Sequence, residues 1–404
     1  MRRHSSTAVV GILCFVLGVA FQRFYGGRRA GVPAPAGTRS APSTSTPSEA
    51  AAPRAPAIRF DHEPLWAYGF DRPPKPGEKA QPQAPPSRAL RQNEDPGEQT
   101  RLRRVDGSSA TYSLVDIRDA HNAADWFPGD HLPMPGVVAH GPARLGKLAW
   151  GCASCHLPNG HGRPENAPPG GLPVTYFVRQ IHDFRSGLRR TADPRKPNTY
   201  TMINLARAMT DEEVEQAARY FSAITWTPWI RVVETNLVPK TRISGNLSLP
   251  IAQARTEPIA GRIIEVPEDV EQSEVYRNPH SGFLAYVPVG SVAKGRDLVK
   301  TGGMRVTGGK IVQGRTTPCG TCHGPDLLGV ADVPPIAGRS PSYLVRQLWD
   351  MQQGTRNGAS AQLMKLVVAN LTEEDMTDIA AYVASLPPSA VPASTRLASA
   401  SHAR

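Results

Sequence analysis

Two short stretches, GCASCH (151–156) and PCGTCH (318–323), carry the same potential chemistry. Each sets two thiols three residues apart, with an imidazole directly behind the second. Such a group can bind zinc, form a redox disulfide or hold a haem covalently. Cysteines at i and i+3 lie on one side of a helical turn, so both sulfurs can reach the two vinyl groups on one porphyrin edge. The next residue, His156 or His323, then projects under the ring as the proximal nitrogen ligand to iron. Cysteine is scarce in the chain, and four of its five copies are Cys152, Cys155, Cys319 and Cys322. The fifth, Cys14, sits in an apolar N-terminal run.

The alternatives fit less well. Zinc sites built from two Cys-x-x-Cys pairs usually separate them by about 15–20 residues. Here the separation is 167 residues, and zinc leaves the adjoining histidine of both copies without a purpose. A thioredoxin-like redox pair lacks the βαβ surroundings that such a motif needs. Two Cys-x-x-Cys-His pentads therefore predict two covalently attached haem c groups.

The elements that must position these groups repeat with them. TYFVRQIHDFRSG (175–187) matches SYLVRQLWDMQQG (342–354) at the same offset of 167. Tyr176, Arg179, Gln180 and Asp183 pair with Tyr343, Arg346, Gln347 and Asp350, and the apolar spacing is helical in both copies. Each copy reads as attachment turn, loop, and a helix ending at Gly187 or Gly354. A second helix follows, MTDEEVEQAARYFSAI (209–224) against LTEEDMTDIAAYVASL (371–386), now at an offset of 162. Thr210 and Thr372 are good N-caps, each with an acid three residues on.

That offset also pairs Met202 with Met364, each expected in a loop before the last helix, and nominates them as distal iron ligands. Met209 pairs with Leu371 and reads as core; Met304 and Met351 have no methionine counterparts. A methionine in an apolar pattern is ordinarily gap-filling core, but two that coincide in two copies point to thioether ligation, which raises a haem's potential. His182 pairs with Trp349, which argues against a symmetrical bis-histidine pair.

Together the two copies resemble class I cytochrome c domains, and as a pair they are similar to dihaem cytochromes of the c4 type. The resemblance rests on the two Cys-x-x-Cys-His pentads, PPIAGRSPSYLVRQL, the Met364 segment and LTEEDMTDIAAYVAS. It covers about residues 106–225 and 287–388, and is most specific in the second copy. It implies a small helical bundle around each haem, His–Met ligation and electron transfer. It also implies that a backbone carbonyl in the Pro334–Pro335 segment accepts the Nδ1–H of His323, with Ala167–Pro168–Pro169 in the corresponding place of the first copy. The expected fold is mainly α: two tandem cytochrome c-type helical domains, 106–226 and 287–388, with a small β-containing insert (227–286) between them. RISGNLSLPIAQ and GRIIEVPE supply the strand-like stretches of that insert.

The first copy departs from the pattern in front of Cys152. SVAKGRDLVKTG (291–302) reads as the first helix of the second domain, while the first offers only SLVDIRDAHNAADWF (113–127) as a substitute. His131, His140 and His280 read as ordinary loop histidines, the alternative being a place near a haem edge.

A basic start and a 15-residue apolar run, Thr7–Phe21, mark an export signal. Arg23, Arg28 and Arg29 follow at once, a poor context for cleavage. The expectation is an inner-membrane anchor (1–27) with the haem domains in the periplasm, the alternative being a soluble periplasmic form after cleavage. Residues 28–105 are proline-rich and read as a disordered tether, broken by the aromatic island FDHEPLWAYGFD, which is expected to be pinned to a haem domain, the alternative being a docking motif. Residues 389–404 read as a flexible tail.

The net charge of +11 is concentrated at the N-terminus: residues 106–388 hold 28 Lys/Arg against 27 Asp/Glu. There is no basic footprint for nucleic acid. The one basic cluster, RSGLRRTADPR (185–195), reads as a solvated face or a docking patch for an acidic redox partner. Two function classes follow. One is a carrier passing single electrons between a dehydrogenase or quinol-oxidising complex and a terminal acceptor. The other is a dihaem enzyme of the peroxidase or thiosulfate dehydrogenase kind, which needs an exchangeable iron site. With a methionine in each copy and no spare cysteine near them, the carrier is favoured, alone or as the cytochrome subunit of a membrane dehydrogenase or oxidase.

Overall fold

The computed structural model describes residues 63–71 and 95–388. The expected anchor, much of the tether and the tail lie outside the described residues. Among the described residues no helix is long and apolar enough to cross a membrane. By its internal contacts the chain divides into Met1–Pro56 and Ala57–Arg404, and everything described below belongs to the second unit.

The fold is mostly helical. Three short helices, α1 (Pro96–Thr100), α2 (Leu114–Arg118) and α3 (Gly136–His140), precede the first attachment turn, α4 (Cys152–His156). Helices α5 (Val174–Arg185), α6 (Pro197–Ala208) and α7 (Asp211–Ser222) complete the first copy. Thr210 accepts from the Glu213 amide while the Glu213 carboxylate accepts from the Thr210 amide, so a capping box starts α7. Val214, Ala217, Ala218 and Phe221 of α7 pack with Phe177 and Ile181 of α5 in one buried core.

The second copy repeats the plan. It comprises α8 (Ser291–Thr301), the attachment turn α9 (Gly320–His323), α10 (Pro341–Gln352), α11 (Ala361–Val368) and α12 (Glu373–Ser385). Thr372 and Asp375 form the matching capping box. Helix α8 crosses α12 at Gly295, where a Cβ would stand 1.9 Å from the Asp378 carbonyl oxygen. Only glycine permits so close an approach.

Three sequence expectations need correction, besides the end of the tether: residues 95–105 fold with the first copy, through α1, a bridge from Arg103 to Tyr112 and a buried Val105. The substitute helix at 113–127 does not form. Helix α2 stops at Arg118 because Asp119 turns back to accept from the His121 amide, an alternative that short polar side chains offer to the helix. Leu114 and Ile117 of the short α2 build a satellite core with Trp126 and Val105 instead. In its place α3 puts Val137 and Val138 into the core beside α7. Met202 and Met364 are not in loops but on helices α6 and α11. Pro197, at the first position of α6, has the backbone angle a helix start requires and no amide to satisfy. The third correction concerns the basic cluster and is described with the site.

Between the copies lie β1 (Ile230–Glu234), β2 (Leu237–Pro239), β3 (Thr241–Ser244), β4 (Leu247–Pro250), β5 (Thr256–Pro258), β6 (Ile264–Pro267) and β7 (Phe283–Val287). The entering strand β1 pairs in parallel with the leaving strand β7, in register Ile230↔Phe283 to Glu234↔Val287, and β6 lies antiparallel on β7. The excursion thus returns beside its starting point, where α8 begins. Strands β3 and β4 form a hairpin whose two turn residues, Gly245 and Asn246, both have positive φ, the geometry that suits a two-residue hairpin. A further hairpin, β8 (Arg305–Thr307) and β9 (Lys310–Val312), separates α8 from α9.

Residues 63–71 contain a 3-10 turn, Leu65–Tyr68, lying against the second copy. Trp66 donates to Glu373 at 3.0 Å and Tyr68 to Asp350 at 2.7 Å. The described part of the aromatic island is thus pinned to the second copy.

Candidate haem-binding sites

In the first copy one cavity of about 370 Å³ brings the predicted groups together. Cys152, Cys155 and His156 line it from α4, Met202 from α6, and Phe177 and Ile181 from α5. The His156 Nδ1 lies 2.7 Å from the Ala167 carbonyl oxygen. In that pairing Nδ1–H donates, which fixes the tautomer and leaves Nε2 for iron. Burial holds the imidazole below its ordinary pKa, so it stays neutral, the form that ligates metal. Burial likewise pushes the Cys152 thiol up to about 12. Met209 is buried in the same core, as its pairing with Leu371 predicts, although its side chain also reaches the cavity wall.

The second copy reproduces the proximal arrangement. His323 Nδ1 lies 2.8 Å from the Pro334 carbonyl oxygen, again eleven residues along the chain. Burial lowers the His323 pKa and raises that of Cys319 to about 11. Cys319 and Met364 both border the second core. The surroundings are more open: Cys322 and Thr321 are exposed, and Leu363 and Leu366, flanking Met364 on α11, are 72 % and 77 % exposed. Both residue sets fit a covalent haem, with two thiols, a neutral imidazole of fixed tautomer, and a thioether on an adjoining apolar helix.

Between the copies runs a paired polar network that sequence reasoning missed. Arg189 donates to Gln180 and Gln347, each at 3.0 Å, and to the Tyr343 hydroxyl at 3.3 Å. Arg356 donates to Gln347 at 3.0 Å, to Gln180 at 2.9 Å and to the Tyr176 hydroxyl at 2.6 Å. All three residue types recur at the offset of 167, so the network is two-fold symmetric in character. A backbone bridge joins Arg189 to Arg356, with the Arg190 amide donating to the Thr355 carbonyl at 2.8 Å. Part of the basic cluster 185–195 is therefore neither a solvated face nor a docking patch, because its Arg189 is buried where the copies meet. Extending the repeat two residues past Gly187 and Gly354 would have paired Arg189 with Arg356.

The insert seats itself on the first copy. Asn159 donates to the Pro279 carbonyl at 2.8 Å, Arg277 to Ser154 at 2.8 Å and Trp126 to Tyr276 at 2.7 Å, while Arg163 pairs with Glu274. His161, stacked on Trp229 and 3.0 Å from Thr227, is held neutral by burial, which takes its pKa down to about 3. His280 lies 2.6 Å from Asp130 and stacks on Phe127, and His131 lies 3.3 Å from Asp125. His140 ends α3, 5.5 Å from His121.

Comparison with known proteins points the same way. The cytochrome c family profile matches residues 308–387, within the second copy. The thiosulfate dehydrogenase electron acceptor of Stutzerimonas stutzeri is 30% identical over 241 residues, 59% of this chain and 80% of that protein. Cytochrome c4 of Pseudomonas aeruginosa is 23% identical over 261 residues, 63% of this chain and 94% of the relative. Among solved structures, the thiosulfate dehydrogenase of Marichromatium purpuratum aligns with 59% of this chain and 37% of its own at 26% identity; its TM-score of 0.37 is too low to bear weight.

Proposed function

This chain belongs to the cytochrome c family and carries covalently bound haem c, and from that premise we propose that it is a dihaem carrier of single electrons. Four residues hold iron: His156 and Met202 in the first domain (106–226), His323 and Met364 in the second (287–388). The observation that supports this reading best is the doubled proximal arrangement. In each copy the histidine behind the second cysteine gives its Nδ1–H to a backbone carbonyl eleven residues on, leaving one nitrogen for the metal. The haem supplies the one-electron chemistry. The chain's own residues bind it through two thioethers, keep the imidazoles neutral and oriented, and pack apolar side chains on the cavity walls.

Covalent attachment requires thiols delivered to an export compartment, so the haem domains are assigned to the periplasm, behind the N-terminal run as anchor or cleaved signal. The donor is a dehydrogenase or quinol-oxidising complex and the recipient a terminal acceptor. The relative named as electron acceptor of thiosulfate dehydrogenase makes a sulfur-compound dehydrogenase the first donor to try.

The test uses the purified holoprotein. Each ferric haem is expected to take one electron reversibly, and neither is expected to bind cyanide rapidly. Rapid cyanide binding, or turnover of peroxide or thiosulfate by the protein alone, would move it to the enzyme class.

A further inference from the structure

The two attachment turns share a motif but differ in what lies outside them. Over the first lies the chain of residues 269–280 from the insert. Arg277 and Pro279 bond to Ser154 and Asn159, and Glu274 pairs with Arg163. Ser154 is left 2 % exposed. At the offset of 167 its counterpart is Thr321, which is exposed, as are Cys322 and Asp326. In the second copy no described segment of the insert bonds across the turn in this way.

The charges differ as well. The cover, 269–280, holds three acids (Asp269, Glu271, Glu274) and one arginine. Residues 294–326, which lead through α8 and the β8–β9 hairpin into the second turn, hold six Lys/Arg and two Asp. Arg296, Lys300, Arg305 and Lys310 are exposed, and Lys300 lines a shallow cleft together with Gly320 and Thr321. Val306 and Ile311, both about two-thirds exposed or more, give the hairpin an apolar surface between the charges.

We propose that the second attachment turn is the port at which this protein exchanges electrons with an acidic redox protein, and that segment 269–280 caps the first turn against the same partner. The proposal rests on the carrier reading. Apolar contact at the turn brings the partner close to the thioether edge, and the basic rim steers an acidic surface toward it. At the first turn the same partner meets a layer of protein and like charge. The first haem then communicates with that partner through the second.

The probe is an acidic blue-copper protein mixed in a stopped-flow instrument with the fully reduced dihaem holoprotein. Lys300→Glu with Lys310→Glu is expected to lower the second-order rate constant about tenfold at low salt, with the difference vanishing at high salt. Asp269→Lys with Glu271→Lys on the cap is expected to change it less than about twofold. Unchanged visible spectra in both variants show that the haem sites are intact. An equal or larger effect from the cap variant, or no effect from the port variant, overturns the proposal. So does a wild type that ignores the copper protein yet reduces small reagents quickly. Rapid cyanide binding by the wild type instead overturns the carrier reading itself.

Discussion

The first and second haem sites start from the same pentad and end in different settings. The first is bordered by the insert and the second copy as well as by its own helices, its cavity walled partly by Tyr343, Arg346 and Asp350 from across the interface. The second stands at the surface, with Cys322 exposed and α11 showing Leu363 and Leu366 to solvent. What the copies share lies close in sequence: attachment turn, proximal carbonyl, and capping boxes at Thr210 and Thr372. What separates them was added between or around the repeats. A motif thus specifies the iron's immediate neighbours, while insertions decide which haem a partner can reach.

The largest expected effect removes one side of the comparison outright. Cys152→Ser with Cys155→Ser should lower the covalent haem count from two to one per chain, read by acid–acetone extraction and haemochrome absorbance. Two remaining haems would mean the first pentad is not an attachment site.

Next comes the α8–α12 crossing, which the first copy lacks in that form. Gly295→Val forces a side chain onto the Asp378 carbonyl and should destabilise the second copy by about 3 kcal/mol. Denaturant unfolding would show it; a loss below about 1 kcal/mol would mean the helices separate easily.

The network joining the copies predicts a smaller loss. Arg189→Ala and Arg356→Ala each take one of two donors from Gln180 and Gln347 and the arginine donor from one tyrosine hydroxyl, at about 1–3 kcal/mol apiece. Gln180 and Gln347 each accept from both arginines, so either single variant leaves them one donor and only the double leaves them none. The double variant should therefore cost more than the sum of the singles. Strict additivity would mean the two halves act independently.

The smallest effect is in pH dependence. Burial raises the Asp350 carboxyl to about 6, against the opposing bond from Tyr68. A carboxyl whose folded pKa lies above its unfolded value binds its proton more readily in the fold. Its contribution to stability is complete below about pH 4 and is lost as pH rises through about 6. Asp350→Asn should flatten the stability profile across that window, measured by thermal unfolding at a series of pH values; an unchanged slope would assign it to other groups.

Much of this was legible in the sequence because it is local or repeated. Periodicity located α5, α10 and the final helices, threonine followed by an acid marked their starts, and one offset tied the copies together. The front of the first copy was not legible, since α2 ends on a local Asp119–His121 bond that periodicity does not register, and Trp126 docks on Tyr276 of the insert, 150 residues away. Met202 and Met364 read as loop residues because periodicity in short segments interrupted by proline and glycine is weak. Arg189 looked solvated because adjacent basic residues usually are, and only the fold places it between two glutamines.

The central claim is that each haem is closed by a methionine from its own copy, and the absorption spectrum tests it most directly. Thioether bonding to ferric haem iron gives a weak band near the red end of the visible range. Met202→His and Met364→His should each remove about half of that band and lower the potential of one haem, while Met209→Leu leaves both unchanged. If Met202 can be replaced with no change in the band, and the wild-type haem takes up cyanide rapidly, the first site is open and the account of a two-haem carrier is contradicted.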